Sequence, residues 1–191
     1  MEAGIQGDGQ GMNIALIGFM GTGKTTVAGL LAERLSARAV ELDAAIEEQA
    51  GMTIPQIFER EGEEGFRDRE TAAVEAAVRS DGNILSCGGG AVLRRRNVEA
   101  LKKNGVIVLL TALPETVYSR VCGSDRPVLK GKMDVGSIGE LMEGRRPAYE
   151  AAADITVATD GKKPEEIAEE IESRLKEGRY GSGCGAGGKD H

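Results

Sequence analysis

The sequence predicts an α/β domain in which a five-stranded parallel sheet is covered by helices on both faces. Two observations carry that prediction. Five short apolar runs alternate with longer segments of helical pattern, and the first three runs lead straight into glycine-rich or acidic motifs. Buried parallel strands read as short apolar runs, and ligands collect at their carboxyl ends. The runs are residues 13–17, 39–42, 83–86, 106–110 and 155–157, and residues 26–35 have the pattern of the first helix. After the first three come Gly18 to Thr25, Glu41-Leu42-Asp43 and Cys87-Gly88-Gly89-Gly90, which places all three motifs on one edge of the sheet.

Length and composition set the frame. A chain of 191 residues with 40% apolar content suits one domain with a real core. Residues 1–11 and 178–191 are rich in glycine and poor in large apolar side chains, so they are expected to be disordered tails around a domain at 12–177. A net charge of -7, three Phe, three Tyr and no Trp disfavour nucleic acid as a partner. No Lys or Arg precedes Lys24, and the longest nearly apolar run, 105–113, is about half the ~20 residues needed to cross a bilayer. A cytoplasmic location away from membranes is expected. Cys87, Cys122 and Cys184 form no CxxC pair, and His191 is the only histidine, which excludes both a Cys/His zinc site and a Ser-His-Asp triad. Cys87 reads as a small packing residue. Acid–base work must therefore fall to Asp, Glu, Lys or an activated water.

Gly18 to Thr25 fits G-x-x-x-x-G-K-[ST] between an apolar strand and a helix. Glycines there let backbone N–H groups converge on phosphate oxygens, and the helix directs its positive dipole end at the anion. In this pattern Lys24 supplies a point charge to β- and γ-phosphates, and Thr25 offers a hydroxyl to Mg²⁺. The guanine-reading N-K-x-D motif is missing, and the D-x-x-G at Asp8 to Gly11 precedes the loop, which argues against a switch GTPase.

On the acceptor side, Glu41 and Asp43 would share one side of an extended strand and project into the cleft. Asp43 also reads as the N-cap of a helix starting at Ala44. Arg67 and Glu70 share a helix face at i, i+3, a spacing equally common in solvent ion pairs. Gly88-Gly89-Gly90 suits either close approach by a ligand or a simple turn. From Arg120 to Arg146 the charge turns positive, six basic residues against four acids, as an anion clamp or an ordinary solvated loop would have it.

Six motifs stand in order: GFMGTGKTT, ELD, FRDRE, SCGGG, DRPVL at 125–129 and RRPAY at 145–149. Together they make the chain resemble, over residues 13–176, the shikimate kinases, small P-loop kinases of the nucleoside-monophosphate-kinase type. The resemblance implies a three-layer P-loop NTPase fold with a mobile lid at about 121–134. It also implies transfer of the ATP γ-phosphoryl group to the 3-hydroxyl of shikimate, on the route to chorismate and the aromatic amino acids. ATP would lie on Gly21, Thr22, Gly23, Lys24, Thr25 and Thr26, with Arg120 against adenine, the turn at 160–164 beside it, and Arg126 closing from the lid. Shikimate would meet Asp43, Phe58, Phe66, Arg67, Glu70, Gly88, Gly89, Gly90 and Arg145, the two arginines gripping its carboxylate. Lys24, Asp43 and Arg126 would carry the chemistry. Mg²⁺ would be held directly by Thr25 and through water by Glu41. Two departures stand out: Glu41 where the family pattern is Asp-x-Asp, and Thr25 in place of a commoner Ser. A gluconate kinase or nucleotide kinase of the same fold and a non-catalytic ATP-binding module are the alternatives. A monomer is expected.

Overall fold

The computed structural model describes residues 11–121 and 134–178. Of the expected tails at 1–11 and 178–191, all but Gly11 and Gly178 lie outside the described residues, as do Arg126, Cys122, Cys184, His191 and the lid interior at 122–133. In chain order the elements are β1 (Asn13–Ile17), α1 (Lys24–Leu35), β2 (Arg38–Glu41), α2 (Leu42–Ala50), α3 (Ile54–Ala77), β3 (Asn83–Ser86), a 3-10 turn (Ala91–Leu93), α4 (Arg95–Lys103), β4 (Gly105–Thr111), α5 (Pro114–Val121), α6 (Val135–Ala152), β5 (Ile155–Ala158) and α7 (Pro164–Lys176).

The five strands form one parallel sheet in the order β2-β3-β1-β4-β5. The three inner strands are buried along nearly their whole length, whereas β2 and β5, at the edges, keep partly exposed positions. Alternation along each inner strand separates two cores. Ile14, Leu16, Val106, Val108 and Leu110 pack under α1 and α7, while Ala15, Ile17, Leu85, Ile107 and Leu109 pack against residues of α2, α3, α4 and α6. The sheet is thus the middle of three layers. The chain leaves β1 for one face through α1 and leaves β3 for the other through α4. Neighbouring strands whose connections part in this way leave a crevice at their carboxyl ends. The glycine loop follows β1 and the triple glycine follows β3, so both open onto that crevice.

Two local expectations need correction. Strand β2 ends at Glu41, one residue early, because the chain turns into α2 at Leu42, where Leu42 and Ile46 at i, i+4 are both 1% exposed and anchor the helix in the core. Asp43 therefore lies in the first helical turn rather than on a strand beside Glu41. The N-cap position falls on Glu41, and Asp43 is not the cap. Helix α1 begins at Lys24, two residues before the expected run. No helix among the described residues is long and apolar enough to span a membrane.

Candidate active site

The phosphate loop is built on left-handed backbone at Gly18, Gly21 and Gly23, with φ of 141°, 76° and 91°. Side chains rarely adopt such angles. A Cβ on Gly21 would stand 2.8 Å from Val121, whereas one on Gly23 would meet nothing within 4 Å, so the space above Gly23 is open at the mouth of α1. Lys24 Nζ donates to the carbonyls of Gly18 and Phe19, each at 2.9 Å, and so spans the loop. Thr22 is buried and its hydroxyl donates to Phe19 O at 2.8 Å. Its side chain thus braces the loop, and only its backbone is left for a phosphate. Thr26, in the first turn of α1, is exposed.

Where β1, β2 and β3 end side by side, three oxygen-bearing side chains meet. Thr25 Oγ1 donates to Glu41 Oε2 at 2.6 Å and lies 3.5 Å from Ser86 Oγ. This is a hard-oxygen set, one carboxylate with two hydroxyls, and it fits a Mg²⁺ ion that keeps waters and phosphate oxygens in its shell. No cluster of three or more His, Cys, Asp or Glu forms a cage among the described residues. Sequence reasoning missed Ser86; its signal was the register that pairs it with both Glu41 and Leu16.

The triple glycine is the hub of a second cluster beside the phosphate loop, and each of its bare backbone units faces a different group. A Cβ on Gly88 would lie 2.7 Å from Asp43 Oδ1 and 3.1 Å from Glu70 Oε1. On Gly89 it would be 3.6 Å from Arg145 Nη1 and 3.8 Å from Tyr149 Oη. On Gly90 it would run into the Arg67 guanidinium, 2.6 Å from Cζ. Glycine is required at positions 88 and 90 so that these side chains can pack against the strand end. Asp43 reaches Gly88 from the start of α2, so it takes its expected place by a helical route.

Arg67 Nη1 donates to Glu70 Oε2 at 2.8 Å, and their side chains are 11% and 1% exposed. This pair is no solvent ion pair. Burial raises the Glu70 carboxyl above its usual range, opposed by the Arg67 bond and charge and reinforced by Asp43. Glu70 Oε1 has no hydrogen-bond partner among the described residues. Phe58 and Phe66 stack at 4.7 Å, and Arg67 Cζ lies 5.3 Å over the Phe66 ring. Arg145 donates to Gly89 O at 3.4 Å and sits 5.7 Å over Phe19. Tyr149, a residue the sequence reading passed over, donates to the same carbonyl at 2.5 Å; burial raises its hydroxyl pKa. On the far side of the loop, Arg120 donates to Gly21 O at 3.2 Å and to Thr159 Oγ1 and O at 3.0 and 3.1 Å, beside the turn at 160. Cys87 is buried, its thiol pushed up to about 12 by desolvation, as an inert packing residue requires.

A phosphate loop faces a compact site of two guanidinium groups and two carboxylates, and comparison with known proteins gives that arrangement a family. The shikimate kinase family model matches residues 20–176. The chain belongs to the shikimate kinase family. It is 44% identical over 169 residues to the shikimate kinase of Symbiobacterium thermophilum, covering 87% of this chain and 97% of that one. Its fold matches the shikimate kinase of Acinetobacter baumannii solved in complex with shikimate, with a TM-score of 0.82 and 36% identity over 88% of this chain and 94% of that one. A gluconokinase from Sinorhizobium meliloti matches with a TM-score of 0.58 at 18% identity, a likeness of fold alone. As a shikimate kinase family member, the chain is a three-layer P-loop kinase that uses ATP.

Proposed function

We propose that this chain transfers the γ-phosphoryl group of ATP to the 3-hydroxyl of shikimate, giving shikimate 3-phosphate and ADP. The observation that carries the reading is the triple-glycine hub. Two guanidinium groups, Arg67 and Arg145, flank Gly90 and Gly89, and two carboxylates, Asp43 and Glu70, flank Gly88, next to the phosphate loop. A small ring acid with hydroxyls needs that combination: cations for its carboxylate, carboxylates for its hydroxyls. An uncharged sugar acceptor would bring no anion to the Arg145 guanidinium and none to the remaining donors of Arg67.

Phosphoryl transfer through a loose transition state asks for alignment and charge stabilisation more than for a strong base. In the proposed step the 3-oxygen bonds to Pγ, the bond from Pγ to the bridging oxygen breaks, ADP leaves, and Asp43 accepts the hydroxyl proton. Lys24 offsets charge on the γ-phosphoryl oxygens. Arg126 does so from the segment between α5 and α6, a role that rests on the match of DRPVL to the family pattern. Thr25 would hold Mg²⁺ directly and Glu41 through a water, the longer Glu arm reaching Thr25 Oγ1 at 2.6 Å. When bound, the ion neutralises part of the polyphosphate charge. Phe58 and Phe66 keep water from the acceptor, Glu70 orients Arg67, and Arg120 lies beside the adenine. Action as a monomer in the cytoplasm belongs to the same proposal and rests on composition.

Following 31P resonances in a mixture of chain, MgATP and shikimate tests the reading: a new monoester signal should grow as ADP appears. Arg145→Ala should weaken shikimate binding by about 1.5–3 kcal/mol, the worth of a charged hydrogen bond, with a smaller change in kcat. Calorimetric titration and steady-state kinetics measure the two separately. Asp43→Asn keeps the shape but not the proton acceptor, so kcat should fall more than affinity; an unchanged kcat would remove Asp43 from the chemistry.

A further inference from the structure

Helix α3 is two helices joined at Gly62, whose φ of 70° and ψ of −173° break the ladder. The first segment carries Phe58, and the second carries Phe66, Arg67 and Glu70. In an uninterrupted helix, residues eight apart are separated by about 12 Å along the axis, too far for a close two-point ion pair. Arg69 nevertheless bonds Glu61 with both Nε and Nη2, each at 2.7 Å. Only the break brings the two within reach. Gly65 makes room for the crossing, since a Cβ there would run into Glu61 and stand 3.2 Å from its Oε2. The Phe58–Phe66 stack spans the same break, with rings 28° apart. One angle, that between the two segments, therefore sets both the ion pair and the aromatic wall of the acceptor site. The Arg69 bond holds the Glu61 carboxyl below its usual range, so the pair is ionised at neutral pH. Ile57, 0% exposed, anchors the first segment in the core independently of the pair. The other ion pairs shown for α3 side chains, Arg67–Glu63, Arg67–Glu70, Arg94–Glu64, Arg94–Asp68 and Arg96–Glu75, lie on or reach only the second segment.

We propose that Glu61 and Arg69 form a clasp that fixes the bend of α3 at Gly62, holds Phe58 over Phe66 and so positions the acceptor wall beside Arg67. Both are positioning residues for the proposed shikimate reaction and touch no reacting atom. Being partly exposed, the pair adds little to stability, and its effect on geometry can be read apart from folding.

The chain has three phenylalanines, Phe19, Phe58 and Phe66, so labelling with 4-fluorophenylalanine gives three resonances, assigned with Phe58→Leu and Phe66→Leu. Without any substrate, Arg69→Ala and Glu61→Ala should each shift the Phe58 and Phe66 signals together and leave Phe19 in place. In steady-state assays each variant should raise the shikimate KM about three- to tenfold while the ATP KM stays within about twofold, and the double variant should be no worse than either single one. Fluorine signals that do not move, or two single effects that add, would overturn the clasp. So would an unchanged shikimate KM in a variant of an active wild type. A wild-type chain inert toward shikimate would instead defeat the functional reading, and the fluorine spectra would still decide the clasp.

Discussion

Lys24→Ala is expected to lower kcat by about a thousandfold, the upper end for loss of one preorganised charged donor, while shikimate binding stays close to that of the wild type. The reason lies in how the side chain is held. Its ammonium spans the loop between the carbonyls of Gly18 and Phe19, at the mouth of α1, where a polyphosphate would meet the helix dipole and the backbone N–H groups. Alanine leaves the glycine backbone in its left-handed turns and takes away the cation that spans the loop. A kcat reduced about a thousandfold with intact shikimate titration is the expected pair of results; a kcat within about tenfold of wild type would show that the loop lysine is not needed for transfer.

The second large effect is expected from the smallest change. Gly90 has φ of −112°, an ordinary angle for alanine, so Gly90→Ala adds no backbone strain. The new Cβ would fall 2.6 Å from Arg67 Cζ. The guanidinium is the far end of a flexible side chain and can move aside, at the expense of its place against the strand end and its bond to Glu70. Thermal unfolding should shift to lower temperature, because the buried Glu70 loses its partner, and shikimate affinity should fall by about 1.5–3 kcal/mol, roughly ten- to a hundredfold. Arg67→Ala in the same background should add almost nothing, because the two substitutions remove one interaction.

What could be read from the sequence was what is local. The phosphate loop is contiguous, and each of its positions has a stated chemical reason, so strand, loop and helix emerged together. Glu41 and Asp43 show a subtler case. Strand alternation placed both in the cleft, yet Asp43 arrives from a helix because burying Leu42 and Ile46 starts α2 at Leu42, two residues before the expected start at Ala44. Glu70 shows where spacing is silent: i, i+3 describes a surface pair and a buried one equally, and only packing against the triple glycine distinguishes them. Ser86 and Tyr149 were passed over because their roles depend on register between strands and on contact across sixty residues. The bend at Gly62 was hidden in EREGEEGFRDRE, where two glycines among charges do not show which of them breaks the helix.

The central claim is that the two arginines and two carboxylates around the triple glycine select a hydroxylated ring acid as the phosphoryl acceptor. Measuring kcat/KM by coupled ADP release, with MgATP and separately with shikimate, gluconate and nucleoside monophosphates, tests it most directly. The expected result is turnover with shikimate at least about a hundredfold above every other acceptor, because an open-chain acid or a nucleotide cannot place its anion on the arginines and a hydroxyl on Asp43 at the same time. Comparable turnover with gluconate or a nucleotide, or ATP binding with no shikimate-dependent ADP release, would contradict it.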